Sequence, residues 1–157
     1  MPKVGEKKQV DVGNASVVPR DDYVKVLEEI IAAGFCPFCE EHLFKHHPNP
    51  VLFQNKHWLV TKNTWPYVGT RLHLLFIART HIERIEDMTA TMLLYRHDLY
   101  RQVIEEHTIT GATFMTRSGE TLFTGATVTH LHSHLIVGGA RDETDSKPIK
   151  ALVGFEK

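Results

Sequence analysis

Two groups of residues in this chain have the types and spacing to do chemistry: three histidines at alternate positions in His130-Leu131-His132-Ser133-His134-Leu135-Ile136, and the pair in Cys36-Pro37-Phe38-Cys39. A neutral imidazole is a nucleophile, a proton carrier and a metal ligand near neutral pH. Flanked by Thr127-Val128-Thr129 and by Val137-Gly138-Gly139, the histidine stretch reads as a strand of about ten residues that stops at a turn. Successive side chains on a strand point to opposite faces. His130, His132 and His134 therefore share one face, and Leu131 and Leu135 take the other, toward a core. Alternate residues lie ~6.5 to 7 Å apart, so one metal with ~2 Å bonds could take two neighbouring histidines but hardly all three. Their roles must be divided.

Cys-x-x-Cys is half of a structural zinc site, which wants four ligands in a tetrahedron. The missing ligands could be His42, His46 or His47 or histidines farther along the chain, and a metal-free or redox pair is the other reading. A thioredoxin-like site is disfavoured because no βαβ pattern surrounds the cysteines.

The elements that would position these groups follow from periodicity. Residues 1–20 mix Lys, Asp, Gly and Pro and read as an extended or mobile arm ahead of a single domain over residues 21–157. From Asp21 as N-cap, Val24, Leu27, Ile30 and Ile31 recur at helical spacing, and Gly34 offers a C-cap. Residues 51–54 and 57–61 read as short strands joined through Asn55-Lys56, and 72–78 as an apolar strand carrying His73 near its start. A second helix is expected from Asp87 or Thr89 to about Glu106, with Met92, Tyr95, Leu99 and Val103 as its core stripe and Gly111 as its stop. Residues 112–116 read as a strand, and 149–155 as a last, edge strand. Few strands and two segregated helices predict an α+β fold with an antiparallel sheet of about five strands and two main helices.

With 157 residues, a formal charge of -1 and 42% apolar residues, the composition is that of an ordinary globular protein. No basic excess points to nonspecific nucleic-acid binding. No apolar run approaches the ~20 residues of a membrane span, and the N-terminus lacks a signal peptide's apolar segment. A cytoplasmic protein with no membrane or nucleic-acid partner is expected.

His130 to Ile136 resembles the motif of the histidine triad family, His-apolar-His-apolar-His-apolar-apolar, and Gly125-Ala126-Thr127-Val128 resembles its approach. The likeness extends from about Phe35 to Gly139, with polar Ser133 at a normally apolar position. It implies the histidine triad (HIT)-like fold and, through Cys-x-x-Cys, the zinc-containing branch. Residues 74–81 resemble the strand that runs into Pro-basic-basic-His in the family, with Ala78 in the proline's place. The resemblance thus implies structural zinc on Cys36, Cys39, His81 and His130, and no organic cofactor.

His132 would then be the nucleophile, attacking the α-phosphate of a nucleotide and releasing a nucleoside monophosphate from a nucleotidyl-histidine intermediate. His134 and His73 match the family's other active-site histidines and would orient His132 and donate to phosphoryl or leaving-group oxygens; for His73 a purely structural role is the alternative. Thr127 matches the family's phosphate donor. Ala126 stands where many members have glutamine, and Arg117 stands in a region lacking the usual Asn-x-Gly, where its charge could replace an amide. Asn63, Thr64 and Trp65 fall in the nucleoside-binding loop. The resemblance implies a purine, preferably adenine, nucleotide substrate and a homodimer. It implies an enzyme hydrolysing nucleoside phosphoramidates or dinucleoside polyphosphates, the alternatives being transfer to phosphate or a binding module with little turnover.

Overall fold

A computed structural model describes residues 9–17 and 22–157. Its centre is a five-stranded sheet in the order β1-β2-β3-β5-β4, with every neighbouring pair antiparallel. The strands are β1 (Val51–Gln54), β2 (Trp58–Lys62), β3 (Leu72–Ala78), β4 (Thr113–Thr116) and β5 (His132–Val137). Among the described residues four α-helices accompany it: α1 (Val12–Val17), α2 (Tyr23–Ala33), α3 (Glu40–His46) and α4 (Ala90–Glu106). The expected α+β architecture is thus present.

Both faces of the middle strands are buried, and alternation sorts their side chains between two layers. Trp58, Val60, Leu74, Phe76, Ala78, Leu131 and Leu135 pack with Met92, Leu99 and Val103 of α4. On the opposite face Leu59, Leu75 and Ile77 pack with Leu43 of α3. His132 and His134 belong to that second face, paired in register with Ile77 and Leu75. Ser133, the polar residue in the motif, points to the α4 side. There it is fully buried, its Oγ 2.7 Å from Thr116 Oγ1 and accepting from Arg96 Nη1 at 2.9 Å. Arg96 in turn lies over the Trp58 and Tyr100 rings at 5.3 and 5.6 Å. A hydroxyl is accommodated because the half-buried guanidinium donates to it.

Caps and turns follow their chemistry. Thr89 caps α4, its side chain accepting from Met92 N at 3.2 Å. At the end of α2, Gly34 adopts φ 72 and its N–H reaches the carbonyls of Ile30 and Ile31, a left-handed cap that suits glycine. Asn55 closes the β1-β2 hairpin over residues 55–57, its Oδ1 accepting from the N–H groups of His57 and Trp58, both at 3.0 Å.

Several expectations are corrected. Within α2 Leu27 is buried but Ile31 is 47% exposed, so the apolar stripe is narrower than expected. The N-cap expected at Asp21 lies outside the described residues; Asp22 holds the cap position with φ 56 and no side-chain cap bond. Helix α4 stops at His107, before a left-handed Thr108, and Gly111 lies beyond it. The histidine strand begins at His132 and is shorter than expected, because the preceding residues pair elsewhere: Val128 bridges Val10, and Thr129 N donates to Gln9 O at 3.0 Å. In the part of the arm that is described, residues 9–17 are docked and Val12–Val17 is helical, with Val10 and Ala15 packed on Leu27. Residues 149–155 form no strand; the Leu152 carbonyl goes to Arg117 instead of a ladder.

Candidate functional site

Helix α2 ends at Gly34 and delivers the cysteines to the start of α3, while β3 runs out toward His81 and the chain enters β5 through His130. These three ends meet. The donor atoms of Cys36, Cys39, His81 and His130 all lie within 4.8 Å of one another. Cys36 Sγ is 3.4 Å and Cys39 Sγ 3.8 Å from His130 Nδ1, Cys39 Sγ is 3.3 Å from His81 Nδ1, and the two Nδ1 atoms are 3.1 Å apart. Tetrahedral bonds of 2.0–2.3 Å put donors ~3.3–3.8 Å apart, so the quartet has the dimensions of a zinc cage.

Neighbouring groups fix how these ligands present themselves. His130 Nε2–H donates to the Ala78 carbonyl at 2.6 Å, which leaves the Nδ1 lone pair facing the cysteines. His81 Nε2 is 3.4 Å from Glu83 Oε1, the carboxylate-histidine arrangement that orients metal ligands. Burial pushes His130 down to about 4 and the Cys36 thiol up to about 12. Without a cation this sulfur keeps its proton; a bound metal takes it as thiolate. His42 and His46 both stack on the Phe35 ring, with centroids 4.5 and 5.0 Å away and 6.4 Å from each other, and are not in the quartet.

One position along, His132 is held differently. Its Nδ1–H donates to the His130 carbonyl at 2.8 Å, so Nε2 carries the lone pair. The Phe38 ring stands edge-on to it with centroids 4.9 Å apart. Burial, with Arg117's charge acting the same way, pushes His132 down to about 4, so the ring is neutral at neutral pH.

His134 and His73 sit on the same face of β5 and β3, with His73 Nε2 2.8 Å from His134 Nδ1. Two fixed donors reach His73: Tyr67 N–H at Nδ1 (3.2 Å) and the Asn63 amide at Nε2 (3.2 Å). The Asn63 amide is oriented by its Oδ1, which accepts from Trp65 N at 2.9 Å. A neutral imidazole accepts at one nitrogen only. The pair therefore has two proton arrangements. With the His73 proton on Nε2, His134 accepts at Nδ1 and carries its own proton on Nε2. With the His73 proton on Nδ1, His134 donates from Nδ1 and its Nε2 accepts from Arg117 Nη1, 3.3 Å away. Exchanging the tautomers of both rings changes His134 Nε2 from acceptor to donor.

A cavity of about 70 Å³ adjoins His132 and His134 and is lined also by Arg117, Thr127, Asn63, Tyr67, Phe38, Asn14 and residues 150–152. Beside it lies an apolar groove of about 280 Å³ that holds Thr64 and Trp65 and shares Tyr23, Phe38, Asn63, Leu75 and Val128 with the cavity. The rings of Tyr23 and Trp65 are 5.2 Å apart, and Tyr23 OH is 2.5 Å from Thr127 Oγ1. The residues singled out in the sequence thus fall into a metal quartet, a histidine cavity with His73 behind it, and an apolar groove.

Sequence reasoning missed Asn14, Tyr23, Phe38, Tyr67 and the segment 150–152. Asn14 is buried and its Nδ2 reaches the carbonyls of Thr121, Thr124 and Ala126 at 2.8, 3.1 and 2.6 Å, tying down the loop that ends in Thr127. Nothing in the polar stretch around it signals this. Phe38, between the two cysteines, could have been singled out by position.

The family model described as "Scavenger mRNA decapping enzyme C-term binding" matches residues 36–146. Among solved structures, a hypothetical histidine triad nucleotide-binding protein from Sulfolobus tokodaii is 21% identical, with a TM-score of 0.54, covering 78% of this chain and 82% of its own. A zinc-bound histidine triad family protein from Mycobacterium smegmatis is 18% identical with a TM-score of 0.50, covering 69% and 78%. A histidine triad protein from Clostridium difficile is 16% identical with a TM-score of 0.50, covering 82% and 100%. No protein of curated function matches the chain significantly. No helix among the described residues is long and apolar enough to cross a membrane. The matched family model, the triad strand and the shared fold together make this chain a member of the scavenger decapping C-terminal family, within the histidine triad group, and its Cys36-x-x-Cys39 pair fits that group's zinc-containing branch.

Proposed function

We propose that the protein is a nucleotide hydrolase in which His132 takes up the nucleotidyl group. The observation that carries this is the His132 to His130 carbonyl bond at 2.8 Å, which commits Nδ1 as donor and leaves Nε2 as an uncharged lone pair in the cavity. Nε2 attacks the α-phosphorus, an N–P bond forms, and the bond to the leaving group breaks with its electron pair on the leaving group. His134, once protonated on both nitrogens with Nδ1–H donating to His73 Nε2, gives its Nε2 proton to the departing atom and returns to the neutral ring, and the attacking water of the second step gives a proton back to it. Water then attacks phosphorus, the N–P bond breaks, and nucleoside monophosphate leaves with His132 restored. Arg117 and Thr127 offer donors to the phosphoryl oxygens. The apolar groove with Tyr23 and Trp65 suits a purine, with Asn63 and Thr64 beside the ribose.

Cys36, Cys39, His81 and His130 would hold zinc in a closed tetrahedron, and the bound ion would brace the entry into β5 that presents His132. A zinc-bound protein of the same fold supports that reading. For the substrate, a dinucleoside polyphosphate fits best with the matched family, which is named for an mRNA decapping enzyme, since a cap is a nucleoside joined through a triphosphate bridge. Dimerisation through the β4 edge, where Phe114 is 42% exposed, belongs to the same proposal.

Following AMP release from diadenosine tetraphosphate and from an adenosine phosphoramidate tests the reading. Release by the wild type that His132→Ala lowers at least about 10³-fold supports it. Equal release by both proteins contradicts it.

A further inference from the structure

Arg117 is already engaged. Its Nε donates to the Leu152 carbonyl at 3.2 Å and its Nη2 makes a still shorter bond to the same oxygen. Nη2 also donates to Tyr67 OH at 2.9 Å, and Nη1 lies 3.3 Å from His134 Nε2. The Arg117 guanidinium at the cavity thus spends an edge on a neutral backbone acceptor from the C-terminal segment.

That segment is seated by close approach rather than by a ladder. A Cβ added at Gly125 would lie 2.1 Å from the Leu152 carbonyl oxygen, so the strand approach and the tail touch main chain to main chain. Farther back, Ile149 Cδ1 rests 3.0 Å from where a Cβ would stand at Gly138. Residues 147–157 form no helix or strand, and Val153 and Phe155 are 72% and 55% exposed. The segment is therefore fastened at Ile149, at Leu152 and by Arg117.

The cavity beside His132 is small, about 70 Å³, and residues 150–152 form part of its wall, so the fastened segment bounds the space beside the histidines. An anion that takes the Arg117 edge now held by the Leu152 carbonyl releases that wall.

We propose that residues 150–154 form a strap over the leaving-group side of the site, with the Leu152 carbonyl occupying Arg117 until an anionic leaving group displaces it. This rests on the reading above for the atom attacked and deepens it by giving a residue-level device for choosing the leaving group. A phosphate oxygen brings a full opposite charge to the guanidinium that a neutral carbonyl lacks, and its paired oxygens match the guanidinium fork. A leaving group bearing phosphates can therefore take Arg117 from Leu152. The amine of a phosphoramidate has no charge with which to compete. The site selects dinucleoside polyphosphates over phosphoramidates by the cost of opening the strap.

Inorganic pyrophosphate is the probe, titrated calorimetrically into the full-length protein, with deuterium uptake of the 149–157 peptide followed in parallel. In the wild type, saturating pyrophosphate raises that uptake and AMP does not. In the double variant Ile149→Ala/Leu152→Gly, which loses both apolar fastenings, pyrophosphate binds about tenfold tighter, while AMP affinity changes less than about twofold. Gly125→Ala, which crowds the carbonyl out, raises peptide uptake without ligand. Unchanged uptake with pyrophosphate, or unchanged pyrophosphate affinity in the double variant, overturns the strap. Neither readout needs turnover, so loss of AMP release with these shifts intact would count against nucleotidyl transfer and leave the strap standing.

Discussion

Replacing Asn14 by leucine should loosen the wall of the site from a residue that lies far from the triad in sequence. Asn14 Nδ2 has two protons for three carbonyls, and its two buried bonds, to Thr121 O at 2.8 Å and Ala126 O at 2.6 Å, are the ones at stake. A buried carbonyl left without a donor costs ~1–3 kcal/mol, which gives ~2–6 kcal/mol for the pair. The loop can recover part of this from water, because Leu122 and Phe123 between the anchored carbonyls are 73% and 77% exposed. The lower part of the range, about 2–3 kcal/mol, is therefore expected. For a chain of this size that lowers Tm by about 5–10 °C in a thermal scan followed by circular dichroism. Because the same loop ends in Thr127, KM for the nucleotide should rise as well. A Tm within about 1 °C of wild type with KM unchanged would refute the claim that the N-terminal arm clamps the site.

Three further outcomes follow from the same structure. One zinc per chain is expected by elemental analysis, lost in Cys39→Ser, with chelation lowering Tm; no metal and no chelator effect would remove the cage. Ser133→Val strips a partner from the half-buried Arg96 and should cost about 1–3 kcal/mol in urea unfolding, with Arg96→Met recovering part of it in the double variant. Burial holds His47 below its ordinary value of 6.5, with Nε2 2.9 Å from Thr61 Oγ1. The unfolded chain then binds more protons between the folded pKa and 6.5, so stability falls as pH drops below 6.5, and His47→Gln should flatten that slope.

The sequence shows the strands because their signals are strictly periodic, and Cys-x-x-Cys because it is local, whereas the choice of His81 and His130 as the other two members of the quartet is implied by the resemblance to the histidine triad family. Alternation placed His132 and His134 on one face, and the register confirms it through Ile77 and Leu75. The ends of elements were harder to read. The residues before His132 carry strand-like side chains, yet their backbone partners come from Gln9 and Val10, about 120 positions earlier, and pattern within a window cannot reveal such a partner. Residues 149–155 misled for a related reason: their apolar alternation is real, but Leu152 turns its carbonyl to Arg117 and no sheet edge receives it. Asn14 and Tyr67 act through one side-chain amide and one backbone N–H, neither of which leaves a trace in composition or spacing.

The central claim is that His132 Nε2 forms a bond to phosphorus. Mixing excess enzyme with diadenosine tetraphosphate, quenching under denaturing alkaline conditions and weighing the intact chain tests it most directly. A transient mass gain of one adenylyl group that maps to His132 and is absent from His132→Ala is the expected result. Turnover with no adduct at any time point, or an adduct that persists in His132→Ala, would contradict the account.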